Sequence, residues 1–170
     1  MASKKMIEAL NKHVNLELYS AYIYAAMAAW FDGENMHGFA SWMKAQAGEE
    51  VGHAAKMYKY IHDVDGRVTL EAIEKPQDRF KSPLQVFEAA YGHEKVVTKA
   101  IYALVDQAIK EGDHGTNAFL QWFVNEQIEE EATASDVVGR LKMAGDAPGA
   151  LLLLDREMGG RSAGAGESEE

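Results

Sequence analysis

The sequence predicts an all-α protein, a four-helix bundle with one long crossover and a short fifth helix near the C-terminus. Three observations predict this fold. Apolar residues recur at intervals of three and four through four long segments, which is the spacing of one buried helix face. Prolines occur only at positions 76, 83 and 148, so that none interrupts the middle of a segment. Short turns join the segments in pairs, and a long stretch separates the pairs.

The first two segments predict an antiparallel helical hairpin, because only the turn DGEN at 32–35 joins them. The first helix runs from about Ser3 to Phe31, with an apolar stripe of Ile7, Leu10, Val14, Ala21, Ala25 and Ala28. The second runs from about Met36 to Asp63, with a stripe of Phe39, Met43, Ala47, Ala54, Met57 and Ile61.

The third and fourth segments predict a second hairpin. Ser82 is the expected N-cap of the third helix, Pro83 occupies its first position and Gln85 closes a capping box. This helix ends at EGD, 111–113, and the fourth ends at Gly145. The stripe of the third is Leu84, Phe87, Tyr91, Val97, Ile101, Leu104 and Ala108, and that of the fourth is Phe119, Phe123, Ala134, Val137 and Leu141.

The connection from Val64 to Lys81 decides how the two hairpins are related. A helix of roughly 27 residues is about 40 Å long. An extended chain of roughly 17 residues reaches about 55 Å. The connection can therefore run the length of the bundle, which predicts that the second and third helices are parallel.

The C-terminal part predicts a short fifth helix from Ala147 to Met158, capped by Asp146, with the apolar core ALLLLD at 150–155. We expect one domain over residues 1–158 and a disordered acidic tail over 159–170.

Composition narrows the classes of partner and site. The formal charge is −10, with 27 acidic against 17 basic residues, which disfavours nucleic acid and anionic membranes and favours cations. There is no cysteine, so disulfides, zinc–thiolate sites and iron–sulfur clusters are excluded. The N-terminal segment has no signal-peptide pattern and no apolar run is long enough to span a bilayer, so a cytoplasmic protein is expected.

Each predicted bundle helix carries a glutamate on its apolar stripe at a similar depth: Glu17, Glu50, Glu94 and Glu130. A lone glutamate there is more often a surface residue whose head reaches water. Four buried carboxylates would together cost a large part of a stability of about 5–15 kcal/mol. Two divalent cations would cancel their four charges. His53, one turn after Glu50, adds an imidazole, and this donor set suits iron or manganese.

The joint spacing of several motifs resembles the prokaryotic non-haem ferritins. The motifs are NLELYSAYIY (15–24), EEVGH (49–53), GHE (92–94) and FLQWFVNEQIEEE (119–131), and the resemblance covers residues 3–158. Haem-carrying bacterioferritins are similar but repeat Glu-x-x-His on the fourth helix, where this chain has Gln127 and Glu130. Their haem methionine would stand at Val51, so no haem is expected.

The resemblance implies a di-iron ferroxidase centre within one subunit, with a role for each matching residue. Its first iron would be bound by Glu17, Glu50 and His53, and its second by Glu50, Glu94 and Glu130, with Glu50 bridging. Gln127 would hold an oxygen species or a water, and Tyr24 would act as an electron donor. A third, weaker iron site would use Glu49, Glu126 and Glu129 with Glu130. The remaining histidines are expected at the surface: His13, His37, His62, His93 and His114.

The implied function is iron storage and detoxification. Fe(II) would be oxidised by O2 or H2O2, and ferric mineral would be deposited inside a homo-oligomeric cage of twenty-four subunits. In that family the fifth helix packs at the four-fold axes, although it can instead fold onto its own bundle. Two alternatives stay open: a di-iron oxidase or peroxidase without storage, and a non-catalytic bundle that binds partners.

Overall fold

The computed structural model describes residues 2–160 and contains five helices and no strand in that range. They are α1 (Lys4–Gly33), α2 (His37–Asp63), α3 (Pro83–Glu111), α4 (His114–Ala144) and α5 (Pro148–Met158). The predicted all-α bundle with a short fifth helix is confirmed. Nearly all of the predicted acidic tail, residues 161–170, lies outside the described residues, as does Met1. No helix between residues 2 and 160 is both long and apolar enough to cross a membrane.

Side-chain caps define where three of the long helices begin. Ser3 Oγ accepts from the Met6 amide at 3.0 Å, Ser82 Oγ accepts from the Gln85 amide at 3.2 Å, and Asp113 Oδ1 accepts from the Thr116 amide at 3.0 Å. The predicted capping box of α3 is displaced by one residue. Gln85 Oε1 accepts from the amide of Lys81, at 2.7 Å, rather than from that of Ser82.

The contacts between helices confirm the predicted directions. Phe39 and Trp42 near the start of α2 pack against Phe87 near the start of α3, with ring centroids 5.6 and 5.2 Å apart. The ends of the same helices meet in the other half of the bundle, where Ile61 and Leu104 share one cluster. Helices α2 and α3 are therefore parallel, which the long crossover allows.

Two asparagines of α1 hold the crossover against the bundle. The Asn11 side chain donates to the Arg67 carbonyl at 2.9 Å and accepts from the Thr69 amide at 2.7 Å. One turn later, Asn15 donates to the Ala72 carbonyl at 3.4 Å. These bonds satisfy backbone groups of a segment that has no regular structure of its own.

The buried apolar residues form two clusters at opposite ends of the bundle. The aromatic cluster surrounds Phe31, Phe39, Trp42 and Phe87. The aliphatic cluster contains Met6, Leu10, Val14, Ala54, Met57, Ile61, Ile101, Leu104, Ala108, Leu120 and Phe123. Between them lies a polar layer of buried side chains: His13, Glu17, Ser20, Gln46, Glu50, His53, Glu94 and Gln127.

The predicted stripe of α1 is shifted from the observed buried face. Ala25, predicted inside, is exposed, whereas Tyr24 and Met27 are buried. The shift arises because polar residues of the middle layer share the buried face, so apolar spacing alone misplaces its centre.

Helix α5 packs against the start of α2 in its own chain. The Asp155 carboxylate accepts from the Phe39 amide at 2.8 Å, which caps a helix whose own N-cap residue offers no side-chain bond. A Cβ on Gly38 would stand 1.7 Å from the Asp155 carbonyl oxygen, so the close approach requires glycine there. The predicted Asp146 cap is wrong, because the N-cap of α5 is Ala147 and makes no side-chain bond.

Candidate metal centre

Three side chains from the first hairpin converge at mid-height of the bundle. Glu17 lies on α1, and Glu50 and His53 lie one turn apart on α2. All three side chains are buried, and one ligand atom from each lies within 4.8 Å of the other two. Within residues 2–160, this is the group whose geometry suits a single cation.

The other two predicted acidic ligands come from the second hairpin. Glu94 of α3 is buried, whereas Glu130 of α4 is only half-buried at the edge of the polar layer. The Gln46 amide donates to Glu130 Oε2 at 2.7 Å. Both carboxylates raise the pKa of Glu50 through their charge, but neither belongs to the group of three.

Hydrogen bonds hold Glu94 from two sides. The Tyr24 hydroxyl donates to Glu94 Oε1 from α1, and the Gln127 amide donates to Glu94 Oε2 at 3.1 Å from α4. The same amide lies 3.3 Å from Thr98 Oγ1, which donates to Glu131 at 2.5 Å. The structure therefore places Tyr24 and Gln127, both predicted to flank the site, directly against one of its carboxylates.

His13 was predicted at the surface, and this prediction is wrong. Its side chain is buried, with Nε2 2.9 Å from Glu17 Oε1, one helical turn away on α1. The ring also meets the edge of Phe123, with centroids 6.4 Å apart. Burial of His13 is possible because the carboxylate of Glu17 satisfies its N–H.

His93 is also not a surface residue. It is half-buried between α1 and α3, hydrogen-bonded to Ser20 Oγ at 2.7 Å and edge-on to Tyr19. Ser20, its hydrogen-bond partner, belongs to the polar layer, but His93 is not among the three residues grouped for a cation. The other three predicted surface histidines are exposed: His37, His62 and His114.

The surroundings shift the pKa values of the two carboxylates of the first hairpin, Glu17 and Glu50, in opposite directions. Burial, and then the charges of Glu17, Glu94 and Glu130, raise the pKa of Glu50 well above its ordinary value. Burial also raises the pKa of Glu17, but the hydrogen bond and charge of His13, followed by the charge of His53 and the neighbouring Glu50 carboxyl, outweigh it, so the net pKa of Glu17 is lowered. One carboxylate is therefore held ionised while its neighbour keeps its proton to a higher pH.

Burial also shifts the pKa values of three further groups at the site. Burial lowers the pKa of His53, against the charges of Glu17 and Glu49, so its imidazole is neutral at neutral pH and able to act as a ligand. Burial raises the pKa of Glu94, although bonds from Tyr24 and Gln127 oppose the rise. Burial, followed by the charge of Glu94, raises the pKa of Tyr24 well above its ordinary value, so the phenol keeps its proton.

One buried oxygen atom of the cluster is left without a hydrogen bond. Glu17 Oε2 has no hydrogen-bond partner among the described residues, although its neighbour Oε1 is bonded to His13. A buried acceptor atom that has lost water without gaining a hydrogen-bond partner costs about 1–3 kcal/mol. Two carboxylates and a neutral imidazole are donors that suit iron or manganese, so the residues present fit a divalent cation.

The three residues predicted for a further iron site are placed unequally. Glu126 Oε2 lies 3.9 Å from His53 Nε2. Glu49 is near enough for its charge to raise the pKa of His53. Glu129 is exposed on α4, and no contact places it beside the other two.

Sequence reasoning did not find three residues that contact the predicted ligands: His13, Gln46 and Thr98. A signal existed for His13, because it stands four residues before Glu17 and so on the same face of the helix. Gln46 of α2 bonds to Glu130 of α4, and Thr98 of α3 bonds to Gln127 of α4, so only the packing of the helices shows them.

Comparison with known proteins agrees with this geometry. A family model described as a ferritin-like domain matches residues 7–144. The bacterial non-heme ferritin of Bacteroides fragilis is 41% identical over 161 residues, covering 95% of this chain and 100% of that protein. The bacterial non-heme ferritin of Campylobacter jejuni is 38% identical over 156 residues, covering 92% and 93%.

Solved structures are similar over the same range. An open pore ferritin from the hyperthermophilic archaeon Archaeoglobus fulgidus matches with a TM-score of 0.94 and 48% identity, covering 95% of this chain and 100% of that chain. An engineered closed form of the A. fulgidus ferritin matches with the same TM-score of 0.94 and 48% identity, covering 95% and 99%.

Proposed function

The chain belongs to the ferritin family, and from that premise we propose that it oxidises Fe(II) at the site of Glu17, Glu50 and His53 and stores the product as ferric mineral. Membership supports iron storage and ferroxidase activity at the level of the family. The observation that carries the proposal for this chain is the buried group of Glu17, Glu50 and His53, whose ligand atoms lie within 4.8 Å of one another and in which one oxygen of Glu17 has no hydrogen-bond partner.

In this proposal two Fe(II) ions bind as substrates. The first is bound by Glu17, Glu50 and His53, and the second by Glu50, Glu94 and Glu130, with Glu50 shared. Binding requires Glu50 to release the proton that burial helps it retain. Gln46 and Tyr24 orient Glu130 and Glu94 through the hydrogen bonds described above.

The redox step balances with either oxidant. Each Fe(II) loses one electron, and O2 takes up two electrons and two protons to give H2O2. Where H2O2 is the oxidant, two electrons and two protons convert it to two waters. The protein supplies the pairing of the ions and the negative charge that stabilises their higher oxidation state. We assign Gln127 to holding an oxygen species or a water, and Tyr24 to electron donation.

Two half-buried acids near His53, Glu49 and Glu126, support a role for this region in the later movement of iron. We propose that Glu49, Glu126 and Glu129, with Glu130, form a weaker third site on the route away from the centre. Glu126 lies nearest, at 3.9 Å from His53. The exposure of Glu129 suits a site that releases its ion.

Storage further requires a closed or nearly closed shell, and we propose a homo-oligomeric cage of twenty-four subunits. Helix α5 supports this assembly, because Leu152 and Leu153 are 71% and 68% exposed although Leu154 is buried. The A. fulgidus relatives are described as an open pore ferritin and as an engineered closed form. A cytoplasmic location stays a prediction from the sequence.

The test is aerobic Fe(II) loading of the wild type and of Glu50→Ala, followed by stopped-flow absorbance of the ferric product. We expect Glu50→Ala to lose the fast oxidation phase, because it removes the carboxylate shared by both ions, and to assemble as the wild type does. Glu8→Ala, an exposed glutamate on α1, is the matched control and should keep the fast phase.

Electron microscopy of the loaded particles separates storage from oxidation alone. Mineral-filled cages are expected. A monomer or dimer that oxidises Fe(II) normally would support a di-iron oxidase without storage, and unchanged fast oxidation in Glu50→Ala would show that the site assignment is wrong.

A further inference from the structure

We infer that His13 is a positioning residue for the metal centre, which orients Glu17 so that one chosen oxygen faces the cation. The inference rests on the proposed function, since it concerns how that centre binds its first ion. It assigns a role to a side chain outside the set of proposed ligands.

The position of His13 is set by a rigid element and by packing. It stands one turn before Glu17 on α1, in a region where the helix is continuous, and only 3% of its surface is exposed. The edge of Phe123 meets its ring at an interplanar angle of 84°. A ring held in this way presents Nε2 to Glu17 in one direction only.

The hydrogen bond makes the two oxygens of Glu17 unequal. Nε2 of His13 donates to Oε1 at 2.9 Å, whereas Oε2 is buried without a partner. A carboxylate with neither oxygen held would turn about its last bond and present both to the ion. With Oε1 occupied, Oε2 is the oxygen that a cation shared with Glu50 and His53 would meet.

A similar arrangement recurs at two other proposed ligands, Glu130 and Glu94, each of which accepts a hydrogen bond from a buried side chain of another helix. Gln46 holds Glu130, and Tyr24 holds Glu94. His13 completes this set for Glu17. Hydrogen-bonding partners of this kind, when removed, typically reduce metal affinity or activity by about 10–100-fold.

The experiment compares His13→Leu with His13→Gln in full-length protein, using anaerobic titration with Co(II) as the probe. The visible absorption of Co(II) reports occupancy and coordination without any turnover. Glutamine carries its amide nitrogen the same number of bonds from the backbone as His13 Nε2, so it keeps the donor, whereas leucine removes it. The exposed His62→Leu is the control for loss of an imidazole elsewhere.

We expect His13→Leu to bind Co(II) about 10–100-fold more weakly at the tight site, with an altered spectrum, and His13→Gln to restore most of the affinity. Equal affinity in His13→Leu and the wild type would overturn the inference, as would an equal loss in His13→Gln. If His13→Leu does not fold, His13→Met makes the same comparison with a flexible apolar side chain.

Different results would contradict the metal centre and the role of His13. If the wild type itself does not bind Co(II), the proposed metal centre is wrong. If the wild type binds Co(II) and His13→Leu binds it equally well, the centre stands and only the role of His13 is wrong.

Discussion

The two apolar ends of the bundle differ from the polar layer between them in what burial does for the fold. In the aromatic cluster, the rings of Phe31, Phe39 and Phe87 stand 5.0–5.8 Å apart, and removing them from water stabilises the chain. In the polar layer, burial acts against ionised carboxylates and raises the pKa of Glu50. Burial therefore stabilises the bundle at its two ends, whereas in the middle it opposes the ionised acids, which the proposed cation would offset.

The largest expected effect is at the apolar end. Phe87→Ala should reduce the free energy of unfolding by about 3–5 kcal/mol, because the ring is 0% exposed and its loss leaves a cavity among three aromatic neighbours. Denaturant unfolding measures the change, and Tyr102→Ala, 46% exposed on the same helix, is the control. The affinity for Co(II) should change far less. A large loss of affinity would mean that the aromatic cluster and the polar layer do not act independently.

The next effect is stabilisation by cations, which should act only through the polar layer. A divalent cation at about 100 times its dissociation constant should raise the free energy of unfolding by about 2.7 kcal/mol. The same addition to Glu50→Gln should raise it much less, because that variant lacks the shared carboxylate. Thermal or denaturant unfolding under anaerobic conditions measures both, and equal stabilisation of the two proteins would contradict the assignment of Glu50.

The pH dependence of the apoprotein should sharpen the contrast further. Because the pKa of Glu50 is raised in the folded state, the folded protein binds more protons than the unfolded chain above the ordinary carboxyl value of 4.5. Stability should therefore fall as pH rises from 4.5 through the raised pKa, by up to about 1.4 kcal/mol per pH unit. Glu17 contributes oppositely, with stability lost as pH falls through its lowered pKa.

The variant Glu50→Gln removes the contribution of Glu50 to the pH dependence of stability, because glutamine does not titrate. Unfolding curves of the metal-free variant at a series of pH values should show a shallower decline than the wild type. Some slope should remain, because the pKa of Glu94 is raised as well. An unchanged slope would mean that Glu50 does not hold its proton in the folded protein.

The smallest effect is expected outside both regions. Lys59 and Asp63 form an ion pair one turn apart on α2, with 76% and 53% of their side chains exposed. Lys59→Ala should change the free energy of unfolding by less than about 0.5 kcal/mol, since exposed pairs are screened by water. Denaturant unfolding measures this change. A larger loss of unfolding free energy would mean that exposed ion pairs, and not only the buried clusters, stabilise this fold appreciably.

Much of the fold was predictable because it depends on local spacing. The four long helices, the two hairpins and the crossover follow from apolar periodicity and loop length, and the Ser82–Pro83 start of α3 follows from capping chemistry. Where polar residues share the buried face, as around Tyr24 in α1, the same reasoning shifts the stripe. The predicted Asp146 cap failed because α5 begins one residue later than that prediction requires, with Ala147 as its N-cap residue.

The proximity of three residues in the candidate site was predictable, whereas most of the residues that contact the proposed ligands were not. Glu17, Glu50 and His53 repeat a spacing that the sequence displays, and the structure brings them together. The partner of His13 could have been read from its spacing of four residues from Glu17. Gln46 and Thr98 are ordinary polar residues in the sequence, and their partners on α4 become visible only when the helices are assembled.

The sequence by itself determined that this chain forms a helical bundle, that acids occupy the middle of its buried faces and that an imidazole stands beside them. These are properties of residue type and helical period, which each segment carries alone. Only the tertiary structure decided which oxygen of Glu17 is bonded to His13 and which has no hydrogen-bond partner, how the pKa values of Glu17 and Glu50 diverge, and which leucines of α5 stay exposed. The physical reason is that desolvation, charge coupling and hydrogen-bond pairing depend on which side chains meet across helices.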